Sequence, residues 1–285
     1  MTPRSRHLDE ILGLDPVADH RRIVYIDSFL EFPFDTTRSL EFALFRTFAV
    51  PSIAALLDST GEFQARPQKR YDDTDLIIST LLEAGYDSDT GRRALRRMNQ
   101  IHGRFAIANE DFLYVLSSFV FEPIRWIDRF GWRRMVEQER LAHFYYWREI
   151  GRRMNIKEIP ADYAELERFN VAYERDRFRR TEASERVGAA TRDMFLSWFP
   201  FVPRRLGAPA IYALIDDRLL DAFGFPRPPR GLRRAVETSL CLRARAARVL
   251  GPRQRPRLRT TMRHRSYPGG FALEELGPPP AGRRA

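Results

Sequence analysis

Apolar residues recur in this chain at helical spacing and almost nowhere in strict alternation, and that narrows the fold to packed helices. Between residues 91 and 108, Ala94, Leu95, Met98, Ile101 and Phe105 fall on one arc of a helical wheel, while Arg93, Arg96, Arg97 and Arg104 fall on the other. Phe112, Val115, Leu116, Phe119 and Val120 repeat the pattern after Asn109-Glu-Asp111, whose Asn and acids suit a helix start. Glu137 to Met154 is apolar or aromatic on most faces, as expected of a central, buried helix. Further stripes run through Leu166, Phe169 and Tyr173, and through Val187, Thr191, Met194, Phe195 and Trp198 after a cap at Thr181. The expected class is all-α: a single multi-helix domain enclosing an apolar pocket for a cofactor or substrate. With 44% apolar residues and 21 Phe, 285 residues are ample for such a core.

Punctuation sets the expected boundaries. Residues 1–35 read as an N-terminal arm, with Ile23-Val-Tyr-Ile26 a short strand or extended lead. The helical domain spans 36–250. It opens with a helix capped by Thr36 or Thr37 and stopped by Pro51, which itself suits the first turn of a helix through Leu57. Pro123 ends or kinks its helix, Pro209 opens one that closes at Gly224, and Pro228-Pro229 leads into an Arg-dense helix from Leu232 to Leu250. From 251 to 285 the chain is rich in Pro, Gly and Arg and poor in apolar residues, so a mostly unpacked tail is expected.

Two clusters carry the chemistry. His102 sits inside the apolar arc between Met98 and Phe105, with Gly103 beside it. A buried imidazole needs a partner. A hydrogen bond to a carbonyl or carboxylate is one reading, and coordination of a metal or haem iron by the neutral ring is the other. About thirty residues upstream, Arg70, Asp73 and Thr74 share a helix face with Ile77, Ile78 and Leu81, a polar cluster at the end of an apolar stripe. The plainer reading is a helix start whose Asp72, Asp73 and Asp75 favour the positive end of the dipole. His143 lies on a stripe with Trp147, Ile150 and Met154 and is the rival ligand.

At these residues the chain resembles the MpaB/rubber oxygenase family, which includes the latex-clearing proteins. There an Arg-x-x-Lys-Thr motif lies on the distal side of a b-type haem, and a His roughly thirty residues later is the proximal ligand. This chain has Arg70-x-x-Asp73-Thr74 and then His102. Phe48-Ala-Val-Pro51-Ser-Ile-Ala resembles the segment before the first motif. Trp147-Arg-Glu-Ile-Gly151-Arg-Arg-Met-Asn-Ile156 with Ile159-Pro160 resembles a family helix ending before a short Pro loop, so the resemblance covers about residues 40–225. It implies haem b held by His102, with Arg70, Asp73 and Thr74 lining the dioxygen side. The implied reaction is oxidative cleavage of a C=C bond in an isoprenoid or other hydrophobic, lipid-like substrate. One departure matters: Asp73 stands where the family has Lys, and the chain's two lysines are Lys69 and Lys157. That puts rubber cleavage itself in doubt.

Other classes lack their signatures. There is no Gly-x-Ser-x-Gly elbow, phosphate loop, His-Glu-x-x-His or Cys-x-x-Cys-His. A non-haem iron oxygenase would need His102 and His143 to converge with a carboxylate, and a non-catalytic helical membrane-surface or scaffold protein remains open. The single Cys241 excludes an intrachain disulfide framework and fits a reducing, cytoplasmic setting. The first ten residues carry acids and no apolar core, so no secretory signal is expected there. The net charge of +10 is concentrated in residues 201–285, where 18 Arg face 6 acids. No nucleic-acid-binding signature accompanies it. An anionic membrane surface is the expected partner, through a helix with Leu232, Val236 and Leu240 on one face.

Overall fold

Proline and glycine do most of the cutting that turns these stripes into separate helices. The structure, a computed structural model, describes residues 5–278. Ser5 caps α1 (Arg6–Leu12), its hydroxyl accepting from Leu8 N at 3.0 Å. α2 (His20–Ile26) runs directly into a π-helical turn, Asp27–Glu31. Prolines then start three helices at their first turn: α3 (Pro33–Thr47), α4 (Pro51–Ser59) and, after the short α5 (Glu62–Ala65), α6 (Pro67–Ala84). α7 (Asp89–His102), α8 (Asn109–Phe130), α9 (Glu137–Arg153), α10 (Tyr163–Arg177) and α11 (Glu182–Ser197) follow. α12 (Arg204–Tyr212), α13 (Asp217–Phe223) and α14 (Arg230–Leu250) complete the helices, and no strand occurs among the described residues. The class is all-α.

α8 is the axis, packed against α3, α9, α10 and α14. One side of the core gathers Phe119, Phe121, Phe144, Tyr146 and Trp147; the other stacks Phe45 on Phe223 and Tyr114 on Tyr173. Arg46 joins three layers, donating to Glu174 at 2.9 Å and lying 3.6 Å from Glu122, with Asp216 on its far side. Those carboxylates hold its guanidinium pKa well above the usual value against burial.

Four expectations give way to tertiary packing. The N-terminal segment is not an arm. Ile11, Ile23, Val24, Ile26 and Phe32 are fully buried, and 23–26 is helical because α2 lies against α9, which outweighs the strand preference of β-branched residues. The first domain helix begins at Pro33, so Thr36 is an internal residue and not a cap. Of the two outcomes expected at Pro123, the ending does not occur: α8 runs on through it, with Phe119, Phe121, Ile124 and Ile127 buried around the one lost hydrogen bond. Pro209 lies within α12, and the helix closed by Gly224, left-handed at φ 64°, is the separate α13. Residues 251–278 pack onto α6 and α7. Leu273 and Leu276 are buried, and Arg259 donates to Asp75 at 2.6 and 2.9 Å while its backbone N–H donates to Glu83 at 2.7 Å. Composition misses this because specific polar pairs, rather than an apolar run, fasten the segment. Its last residues, 279–285, lie outside the described part.

Candidate functional site

The interval between Arg70 and His102 has a geometric cause. α6 and α7 form an antiparallel hairpin whose turn, residues 85–88, lies about midway between the two side chains, so they return to the same level. The turn is tight. Ser88 caps α7 by accepting from Gly91 N at 2.9 Å, and a Cβ on Gly91 would fall 1.9 Å from the Gly85 carbonyl oxygen. Only glycine permits that approach. α7 ends at His102 itself, so Phe105 belongs to the following turn and not to the helix.

His102 is half-buried, with its ring edge-on to Phe112 at 5.4 Å. Its Nδ1 is buried and has no hydrogen-bond partner. A last-turn position favours the protonated ring through the helix dipole. Desolvation overrides this, with the positive charge of Arg70 adding to it, and the pKa falls to about 4. The imidazole is therefore neutral at physiological pH, the form that binds metal. Arg70 donates to Thr74 Oγ1 at 2.5 Å and makes no ion pair among the described residues; burial pushes its pKa down. A half-buried guanidinium with one side-chain partner keeps several N–H groups for an oxygen ligand.

Asp73 is placed differently. Its buried carboxylate accepts from Lys69 Nζ at 2.9 and 3.0 Å and from the Tyr267 hydroxyl at 2.5 Å, and Ser266 N donates to the adjacent Asp72 at 2.8 Å. Arg70 is bonded to Thr74 and His102 lies within reach of the Arg70 charge, while Asp73, whose charge also acts on Arg70, fastens the C-terminal segment to α6. His143 belongs to another set. It is fully enclosed, 3.2 Å from Asp27 through Nε2, and burial lowers its pKa to about 4. Around it Arg133 bonds Glu31 and Glu139 at 2.8 and 2.6 Å. Asp27 is pushed up to about 7 and Glu139 to about 8, chiefly by burial.

Thr74 also lines a narrow cleft between α3, α6 and the π-helical turn, with a free volume of about 40 Å³. That is room for a water or two, so a ligand enters only as the walls part. Leu40, Leu44, Ile78, Leu82 and Phe119 form its apolar walls. Glu41, bonded to Tyr71 at 2.5 Å and Arg38 at 2.7 Å, is raised to about 7, largely by burial. Sequence reasoning missed this wall, since the residues before 36 read as an arm and Glu41 stands among apolar residues with no motif around it.

The donor set suits a haem. A haem asks the protein for one axial ligand, and His102 offers a neutral ring with an orphaned buried nitrogen. The expected second-nitrogen partner, a carbonyl or carboxylate, is absent. Among the described residues no three His, Cys, Asp or Glu side chains gather to hold a metal ion, and His102 and His143 sit in separate environments.

The profile of a family described as ER-bound oxygenase mpaB/B'/rubber oxygenase, catalytic domain, matches residues 41–252. The ER-bound oxygenase mpaB' of Penicillium brevicompactum is 28% identical over 243 residues, which cover 78% of this chain and 57% of that protein. The ER-bound oxygenase mpaB of the same organism is 35% identical over 134 residues, 45% of this chain and 34% of that protein. Its counterpart in Penicillium roqueforti is 34% identical over the same length. The chain spans about half the length, or less, of these relatives.

Proposed function

Since the chain belongs to the MpaB/rubber oxygenase catalytic-domain family, we propose that it is an oxygenase that cleaves a C=C bond of an isoprenoid or other apolar, lipid-like substrate with dioxygen, using haem b held by His102. The observation that carries this reading is the neutral, unpaired imidazole facing an under-paired Arg70 across one hairpin. A haem iron at that position would supply dioxygen activation. The chain's own residues do the rest. Arg70, fixed by Thr74, directs N–H groups toward developing negative charge on oxygen. The apolar cleft beside Thr74 holds the substrate and excludes water. Glu41, raised to about 7, is the cleft's proton-holding group, with the Tyr71 hydroxyl on it. Asp73 holds the C-terminal segment against α6 and stays outside the chemistry. The non-haem alternative would need His143 beside His102, and nothing in their surroundings favours it.

An absorption spectrum of purified, haem-supplemented protein tests the reading. A Soret band is expected, lost in His102→Ala and kept in His143→Ala. Loss only in the His143 variant, or stoichiometric iron with no Soret band, would overturn it.

We also propose peripheral contact with an anionic membrane. The relatives are named ER-bound. Among the described residues no single helix is long and apolar enough to cross a membrane, and α3 with α4 passes that test only as a pair bent by 94°. The contact surface differs from the sequence expectation. Leu232, Val236 and Leu240 are half-buried, and Leu240 packs on the core. Exposed apolar residues stand instead at Phe199, Phe201, Val202 and Leu206, beside Arg204 and Arg205, and at Leu242, Val249 and Leu250 on α14.

A further inference from the structure

The cleft is lined by several polar groups, and nearly all are already paired. Glu41 is taken by Arg38 and Tyr71, Asp75 by Arg259, and the Thr37 hydroxyl by the Pro33 carbonyl at 3.0 Å. Two lining residues are exceptions. The hydroxyl oxygens of Ser28 and Thr36 are buried and have no partner. They come from adjacent elements, Ser28 from the π-helical turn and Thr36 from the first turns of α3. A π-helical turn inserts an extra residue and re-aims the side chains that follow it, a device concentrated at functional sites. Buried hydroxyls without partners are costly enough to be rare in folded proteins.

We propose that Ser28 and Thr36 form a subsite for the single polar end, a neutral hydroxyl or carbonyl, of an otherwise apolar ligand. Neutrality follows from the charges, since every charged group lining the cleft is matched by one of opposite sign. A hydroxyl pair can both donate and accept, so it takes an alcohol or a carbonyl oxygen equally well. Position follows from α3. Glu41, which bonds Tyr71 one turn from Thr74, lies five residues beyond Thr36, on the order of 8 Å along the helix axis. A ligand anchored at the hydroxyls therefore lays its carbon chain along Leu40 and Leu44 toward Thr74. The distance from its polar end then decides which carbon reaches the Arg70–His102 group. This rests on the cleft being the substrate site of the proposed oxygenase.

The test is a competition. The full chain is equilibrated with equal amounts of 1-decanol and undecane, passed through a desalting column, and the co-eluting ligand is quantified by gas chromatography. Wild type should be enriched in decanol roughly tenfold, the ratio expected from the net gain of about one hydrogen bond. Ser28→Ala/Thr36→Val should bring the ratio near parity with total occupancy kept. A preference unchanged in the double variant overturns the proposal, and so does the absence of both ligands from wild type. If the variant only gains thermal stability, the hydroxyls are packing defects. The Soret band is read separately, so a protein without haem that still selects decanol sinks the haem reading and leaves the subsite standing.

Discussion

At His102 two opposed effects meet. Its place in the last turn of α7 favours a charged ring by an amount typically below 1 kcal/mol. Burial and the Arg70 charge favour the neutral ring and carry its pKa from 6.5 to about 4, so they win. Candidate residues of this kind were legible from the sequence, because a histidine in an apolar arc stands out. Their partners were not. The carboxylate of Asp73 fell on the same helix face as Arg70, yet it is claimed by Lys69 one turn back and by Tyr267, nearly two hundred residues downstream. No helical wheel contains that second contact. Asp73→Asn keeps the shape and removes the charge, and charge-assisted bonds of this sort contribute roughly 1–2 kcal/mol. We expect a melting temperature lower by a few degrees and unchanged turnover per haem. A pH–rate profile displaced in the variant would instead give Asp73 a part in the chemistry.

At the scale of elements, the hairpin of α6 and α7 was half readable. The apolar stripes predicted two helices, and antiparallel pairing explains why a thirty-residue interval brings Arg70 to His102. The π-helical turn was unreadable, because an inserted residue depends on what it packs against rather than on its own sequence. There it buries Asp27 and Glu31 with Glu139, three carboxylates to the one Arg133. Asp27 and Glu139 bind protons more tightly folded than unfolded. Their contribution is therefore fully present at acid pH and is lost as pH rises through about 7 and about 8. His102 and His143 act the opposite way, but only between about 4 and 6.5, so above 6.5 the carboxylates decide. We expect thermal stability to fall from pH 6.5 to 8. The fall should be shallower in Asp27→Asn, which removes one acid and relieves Glu139 of a neighbouring charge. Parallel melting curves for the two proteins across that range would show that the pair does not titrate there.

At the scale of the whole molecule, an all-α class followed from periodicity alone, whereas the outer layers did not. Residues 1–35 and 251–285 looked unpacked by composition, yet their described parts, 5–35 and 251–278, are fastened to the core, the first by apolar residues on α9 and the last by ion pairs on α6. The Arg surplus of the last third is shared out only in part: Arg204, Arg227, Arg233, Arg243 and Arg259 each answer a carboxylate, while Arg205, Arg218, Arg230, Arg234, Arg245 and Arg248 make no ion pair among the described residues. Beside them the surface carries a short aromatic projection. Phe201 is 96% exposed, with Phe199, Leu206 and the unpaired Arg205 near it, and α12 packs on α14, where Val249 and Leu250 are also exposed. Burying one Phe in the acyl boundary contributes about 1.5–3 kcal/mol, and each Arg near an anionic surface about 1 kcal/mol. Two terms of this size make binding dependent on both. We expect flotation with vesicles containing phosphatidylserine at low salt and weaker flotation with phosphatidylcholine alone. Phe201→Ser should cost at least about tenfold in affinity on either. Equal flotation on the two lipids would remove the arginines from the account. A Phe201→Ser protein that binds vesicles as before but no longer self-associates on gel filtration would assign the projection to a second copy of the chain instead.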